Sequence, residues 1–362
     1  MHKTIVVIER TTVMLALGLA TLLVAGCGSE KEAGAGFVPP RPLGYVAYKT
    51  PTPMTVDGLL DEQAWREAPW TSDFVDIEGS LKPAPRFRTR AKMAWDDTYL
   101  YIGADIDEPQ VWATLRQRDT VIFHDNDFEV FIDPNADNHE YYEFEMNALN
   151  TVWDLFLPKP YRDGGSAHTE WNIDGLKTGV HVRGTLNNPA DTDSGWTVEI
   201  AMPWKALGQY AHKPAPPEDG DQWRINFSRV EWKVNVVGGS YVKVEGRPED
   251  NWVWSPQWVI NMHEPELWGF VQFSTGMPGS ATFRPDPTWT ARIALFTVYK
   301  AEKAFRKSRD RYKSSLEELG IRSLPGDIPV TVTLTPEGYV ATATSGSAVV
   351  HEQQDSRCWV GR

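Results

Sequence analysis

The sequence predicts an all-β protein: an antiparallel β-sandwich of immunoglobulin or jelly-roll type, with a small α+β extension at its carboxyl end. Three observations lead there. About eleven short segments alternate apolar and polar residues, the period of a half-buried strand. Turn signals separate them, among them Asp96-Asp97, Asp133-Pro134-Asn135 and Gly238-Gly239. Helical periodicity before residue 289 is confined to two short stretches.

Composition sets the bounds. With 362 residues, 41% apolar and 23% charged, the chain holds one large β domain or two smaller ones, with ample core. A formal charge of −13 argues against a general nucleic-acid binder, which needs a basic footprint. Sixteen tryptophans suit a β-rich core and stacking on sugars equally well, so their number alone decides nothing.

Residues 1–27 read as a lipoprotein signal peptide. Lys3 and Arg10 accompany an apolar run over residues 13–24, too short to cross a bilayer and the right length for a signal core. It ends in Leu23-Val24-Ala25-Gly26-Cys27, which looks like a bacterial lipobox: small residues fit the peptidase cleft, and the thiol takes the lipid. The expectation is lipidation at Cys27, a lipid anchor in a bacterial membrane, and a place in the cell envelope on the outer-membrane or periplasmic face. The alternative is an ordinary secretory signal with an incidental cysteine. Residues 28–43, rich in Gly, Ala, Glu and Pro, read as a flexible tether. Acylation of Cys27 leaves Cys358 as a thiol without an intramolecular partner.

The β domain is assigned to residues 44–275. Its strand candidates are 45–48, 87–95, 99–106, 128–133, 141–148, 152–157, 179–186, 196–202, 223–232, 241–244 and 267–273. Residues 61–65 predict a short helix capped by Asp57 or Asp61 with Trp65 buried, and residues 203–207 a single helical turn. A Gly/Pro-rich linker at 278–287 leads to an extension over residues 288–362. There a helix is expected over 289–312, with Leu295, Val298, Ala301, Phe305 and Tyr312 on one face. A short helical turn at 314–320 and a hairpin of 329–334 with 338–344 follow. The basic residues Lys300, Lys303, Arg306, Lys307 and Arg309 read as a solvated face, or alternatively as a surface for anionic lipid or glycan.

Residues 123–154 organise the rest. Phe128, Val130 and Ile132 face one way, while Glu129, Phe131 and Asp133 face the other; Tyr142, Phe144 and Met146 then alternate with Glu143, Glu145 and Asn147. Paired as a hairpin, these runs give one apolar face and one carrying Glu129 with Glu143 or Glu145. That second face is either solvent or a site.

The run Asn126-Asp127-Phe128-Glu129-Val130-Phe131-Ile132-Asp133-Pro134 resembles the signature strand of the family 9 carbohydrate-binding modules. Other segments are similar to that family in its order: residues 54–70, 91–109, 194–208, 223–232 and 263–273. The resemblance covers about residues 45–273 and implies a sugar-binding sandwich of the diverged, family 9-like kind. In sugar-binding members an aromatic precedes the acidic strand, and that position is Phe123 here; the strand's glutamate is Glu129. The next strand carries an arginine in those members and Glu145 here, and a second aromatic position reads Met262, with Trp258 four residues upstream. The resemblance also implies structural calcium, for which Asp133, Asn135 and Asp137 offer oxygens at alternate positions without the pattern of an EF-hand.

Sugar recognition needs flat aromatic faces and side chains that fix hydroxyl pairs. Candidates are Phe123, Glu129, Glu145 and Arg229, with Trp153, Trp171, Trp252 and Trp258 as stacking platforms. A guanidinium at Arg229 suits vicinal hydroxyls, or else pairs with a glutamate. The reading is non-catalytic binding of a polysaccharide or oligosaccharide by a membrane-anchored lipoprotein, in support of carbohydrate catabolism. The alternatives are a structural or protein-interaction sandwich that has lost the sugar, and a glycoside hydrolase using Asp125, Asp127, Glu129 or Glu145.

Overall fold

A computed structural model describes residues 37–361. The expected signal peptide, Cys27 and the first part of the tether lie outside the described residues. The strands are β1 (Gly44–Lys49), β2 (Val75–Asp76), β3 (Thr89–Trp95), β4 (Tyr99–Ile106), β5 (Asp127–Asp133), β6 (Tyr141–Asn147), β7 (Val152–Leu157), β8 (Lys177–Arg183) and β9 (Gly195–Pro203). They continue as β10 (Gln222–Glu231), β11 (Val234–Val237), β12 (Ser240–Lys243), β13 (Asp250–Val253), β14 (Phe270–Ser274), β15 (Val330–Leu334), β16 (Tyr339–Ser345), β17 (Ala348–Gln353) and β18 (Cys358–Val360). The α-helices are α1 (Gln63–Glu67), α2 (Trp204–Leu207) and α3 (Trp289–Arg309).

The chain is mostly β, as the alternation predicts, but the main sheet is mixed rather than purely antiparallel. Its order is β7-β6-β5-β10-β14-β1-β3-β4-β9-β8, with β13 and β2 branching from β10. Strand β1 runs parallel to both of its neighbours, β14 and β3. Alternation reports which side chains share a face and is blind to strand direction. The β1–β14 pair joins Gly44 to Phe270, so nearly the whole domain is its crossover. Nor are there two separate sheets. Side chains of β5 and β6 meet those of β4, β8 and β9 in one core although they stand far apart in strand order, so the sheet curls over on itself into a half-barrel.

Local departures have local causes. Helix α1 forms with Trp65 buried but without the expected side-chain cap, because Asp57 Oδ1 accepts the Leu59 N–H instead. Helix α3 stops at Arg309, where Asp310 takes a left-handed φ of 53° and donates its N–H to the Arg306 carbonyl. The 314–320 segment is a run of turns rather than a helix.

The extension is an antiparallel sheet, β15-β16-β17-β18, with α3 against it. Ala291, Ala294, Leu295 and Val298 of α3 pack toward that sheet. Trp289, Ile293, Phe296 and Tyr299 pack toward Leu267 and Trp258 of the main domain. With two faces covered, the helix joins the extension to the domain. Lys303, expected in solvent, reaches Asp163 at 2.6 Å, and Tyr299 Oη donates to the same carboxylate at 2.7 Å. Within the tether, Phe37 rests against Trp258 with ring centroids 5.3 Å apart. Among the described residues no helix is long and apolar enough to cross a membrane.

Candidate functional site

The site begins with strand parity. Phe128, Val130 and Ile132 of β5 and Tyr142, Phe144 and Met146 of β6 enter the core, which turns Asp127, Glu129, Glu143 and Glu145 to the opposite face. The register sets Glu129 directly across from Glu145, and places Ser228 of β10 on the other side of Glu129. Trp153 of β7 lies across from Glu145. Residues directly opposite in an antiparallel pair share a face, so four strands contribute to one surface.

That surface is covered. Glu129 and Glu145 are 6% and 1% exposed, and Asp127 is fully buried. Carboxylate oxygens of Asp127, Glu129 and Glu145 lie within 4.8 Å of one another. Asp127 Oδ1 accepts the Val230 N–H at 3.2 Å, and Glu145 Oε2 accepts the Phe123 N–H at 3.0 Å. No lysine or arginine pairs with Asp127, Glu129, Glu143 or Glu145 among the described residues.

Electrostatics follow from this crowding. Burial pushes the Glu129 carboxyl up to about 7. Burial first, then neighbouring carboxylates, raises Asp127, Glu143 and Glu145 well above the ordinary carboxyl range. His263, 3.9 Å from Glu143, is held down at about 4 by burial and by Arg162, so its imidazole is neutral. A face of this kind offers hydrogen-bond donors and acceptors to hydroxyls when its acids carry protons, and oxygen ligands to a cation when they do not.

Of the residues singled out from the sequence, Phe123, Glu129, Glu145 and Trp153 come together here. Trp153 is partly buried, and its indole N–H has no partner. Arg229 does not join them. It has the parity of Trp223, Ile225 and Phe227, and therefore lies on the core side. There its Nη2 pairs with Glu108 at 2.7 Å and Glu231 at 2.9 Å, the glutamate pairing held open as its alternative. Trp252 also departs: it is 3% exposed, packed with Phe87 and under the Arg229 guanidinium. Both outcomes were legible from parity, since Trp252 alternates in step with Trp254.

Trp171 stacks on Tyr142 at 4.8 Å and donates its N–H to Gln209, away from the acids. Trp258 sits at a left-handed φ of 63°, its ring laid over Gly79 so closely that any β-carbon there would collide. It belongs to the α3 contact, where it borders a cleft of about 410 Å³ with Phe37, Tyr299 and Lys303. Ser228 was missed in the sequence, because nothing local reveals which strand lies beside β5. At the turn after β5, Asp133 accepts the Ala136 and Asn138 N–H groups, and Asn135 and Asp137 accept those of Asp137 and His139. Oxygens proposed for calcium thus already serve the backbone.

Among curated proteins, Exoglucanase XynX of Acetivibrio thermocellus is 27% identical over 168 residues, 46% of this chain and 13% of that protein. Endo-1,4-beta-xylanase A of Thermoanaerobacterium saccharolyticum is 29% identical over 160 residues, 44% of this chain and 11% of that protein. The chain thus spans only about an eighth of the length of these relatives. A family 9 carbohydrate-binding module from Caldicellulosiruptor kristjanssonii, solved with cellotriose, aligns at TM-score 0.43 and 15% identity, covering 66% of this chain and 97% of that one. A putative carbohydrate-binding protein from Bacteroides uniformis aligns at TM-score 0.49 and 14% identity, covering 64% and 100%. Residues 56–258, more than half of the chain, match the carbohydrate family 9 binding domain-like family, and the chain belongs to that family.

Proposed function

We propose that this protein binds carbohydrate without transforming it, at the face formed by Phe123, Glu129, Glu145 and Trp153. One observation carries the reading: Trp153 stands cross-strand from Glu145, which faces Glu129 on the same sheet face, and the Phe123 backbone N–H closes on the Glu145 carboxylate. An indole presents a flat surface to the C–H side of a pyranose, and acids raised toward neutrality both donate to and accept from hydroxyls. Family membership supports the ligand class. The two curated relatives are named for glucan and xylan breakdown, which makes those glycans the first to test. We further propose that Cys27 carries a lipid anchor, holding the domain on the bacterial envelope to supply polysaccharide to separate hydrolases.

A second reading rests on the burial of Glu129 and Glu145, which fits a sandwich that retains the scaffold for protein interaction. Affinity gel electrophoresis separates the two. Xylan or β-glucan in the gel should retard the wild type and Trp171→Phe, and should not retard Glu129→Ala or Trp153→Ala. Unretarded wild type across plant, algal and bacterial glycans favours the interaction scaffold.

A further inference from the structure

The carboxyl end of α3 carries charges that sugar binding leaves unused. Seven lysines and arginines fall within residues 300–313, against two acids, in a chain with 36 basic and 49 acidic residues. Of those two acids, Glu302 is buried and accepts the Lys313 N–H, and Asp310 stands at the helix end. Arg306, Lys307, Arg309 and Arg311 are exposed, and the last three enter no ion pair among the described residues. Glu318 pairs with Lys313, and Glu337 shares a hollow with Arg306 and Arg311, but Lys307 and Arg309 border neither acid there. Cations at a helix carboxyl end complement its dipole; that effect belongs to the last turn, whereas Arg311 lies past the left-handed Asp310.

An apolar patch adjoins this run. Val259 and Ile260 are 38% and 50% exposed, and they line the cleft of about 410 Å³ together with Lys300, Lys303 and Ala304. Lys307 lies one helical turn beyond Lys303, on the stripe of α3 that borders the cleft. Cations beside exposed aliphatic side chains are the combination that holds an amphipathic surface in the interface of an anionic bilayer.

Chain geometry selects the occupant. Phe37 and Pro39 line the same cleft, so the described chain begins beside α3. Cys27 precedes Phe37 by ten positions, a span of at most about 35 Å. An acyl group at Cys27 therefore keeps the cleft within that reach of the lipid headgroups. We propose that Lys307, Arg309 and Arg311, with Val259 and Ile260 beside them, form a membrane-facing surface whose partner is an anionic phospholipid headgroup layer. Its orientation toward the anchor rests on the proposed acylation of Cys27; its affinity for lipid does not.

The chain from residue 28 onward contains every described residue and omits the apolar run over residues 13–24, which would partition into bilayers by itself. It is sedimented with vesicles of phosphatidylcholine alone or mixed equally with phosphatidylglycerol. Expected are binding to the mixed vesicles at low salt, its loss at about 1 M salt, where the screening length falls to about 3 Å, and no binding to phosphatidylcholine alone. Each lysine or arginine near an anionic surface raises partitioning about fivefold, so Lys307→Gln/Arg309→Gln/Arg311→Gln weakens it on the order of a hundredfold. These side chains are exposed, and the variant melts with the wild type. Ile260→Ser weakens binding at least about threefold. A control, Arg116→Gln/Lys205→Gln/Lys233→Gln, removes the same charge from exposed positions elsewhere and stays within about twofold of the wild type.

Wild type that stays in the supernatant with mixed vesicles at low salt overturns the proposal. So does a Lys307/Arg309/Arg311 variant or an Ile260→Ser protein that binds as the wild type does, and so does a control that loses as much as the patch variant, since net charge would then be responsible. Retardation of the wild type in a polygalacturonate gel, without vesicle binding, would assign the run to an acidic glycan and overturn it as well. Acylation is scored separately, by the mass of the membrane-extracted full chain with and without Cys27→Ser. An unmodified Cys27 with vesicle binding intact removes the anchor and leaves the surface, and the reverse result does the opposite.

Discussion

Glu129 and Glu145 stand directly opposite each other on neighbouring antiparallel strands, both buried, with no basic residue paired to either. Like charges in that relation repel. Glu145→Gln keeps an oxygen for the Phe123 N–H and offers an amide N–H toward Glu129. At pH 8 it should raise stability by about 0.2–1 kcal/mol, read as a higher urea midpoint with an unchanged slope. A lower midpoint would show that the acids are protonated and bonded to each other.

On the opposite side of the same sheet, Arg229 holds Glu108 and Glu231 in a buried triad. Arg229→Met leaves two carboxylates facing each other in the core. It should cost about 3–5 kcal/mol in denaturant unfolding, the price of stranding a buried charge. Glycan retardation should survive in whatever fraction folds, because the guanidinium lies on the core face.

Cys358 is enclosed near Arg292, and burial pushes its thiol up to about 12. In a Cys27→Ser background it should stay unmodified by a disulfide reagent in native buffer and react stoichiometrically in denaturant. Rapid labelling of the native protein would mean that β18 opens readily.

Glu199 accepts the Trp65 indole N–H at 2.6 Å and the Asp57 and Gly58 N–H groups, yet burial lifts its carboxyl to about 7. The folded state therefore binds a proton that the unfolded state, near 4.5, has released. This contribution to stability is complete below about pH 4.5 and lost as pH rises through 7. Glu199→Gln should melt lower at every pH, since its amide faces backbone donors, and should lack the wild type's decline between pH 5 and 8. A parallel decline in both proteins would assign the slope to another group.

What could be read from the sequence was local. A period of two identifies strands wherever it persists, and the β5–β6 hairpin with its acidic face was visible because both runs lie within thirty residues. Parity would also have placed Arg229 with Trp223, Ile225 and Phe227, and Trp252 with Trp254, on the core side, but their chemistry made them attractive as ligands. Strand direction, strand neighbours and curvature depend on pairings such as Gly44 with Phe270, which leave no mark on either segment alone. The tertiary structure therefore decided that Ser228 stands beside Glu129, that Trp258 belongs to the α3 contact, and that the acids share one enclosed space without a basic partner. Alternation is a property of a few adjacent residues, whereas the company a side chain keeps is set by chain segments tens to hundreds of positions away.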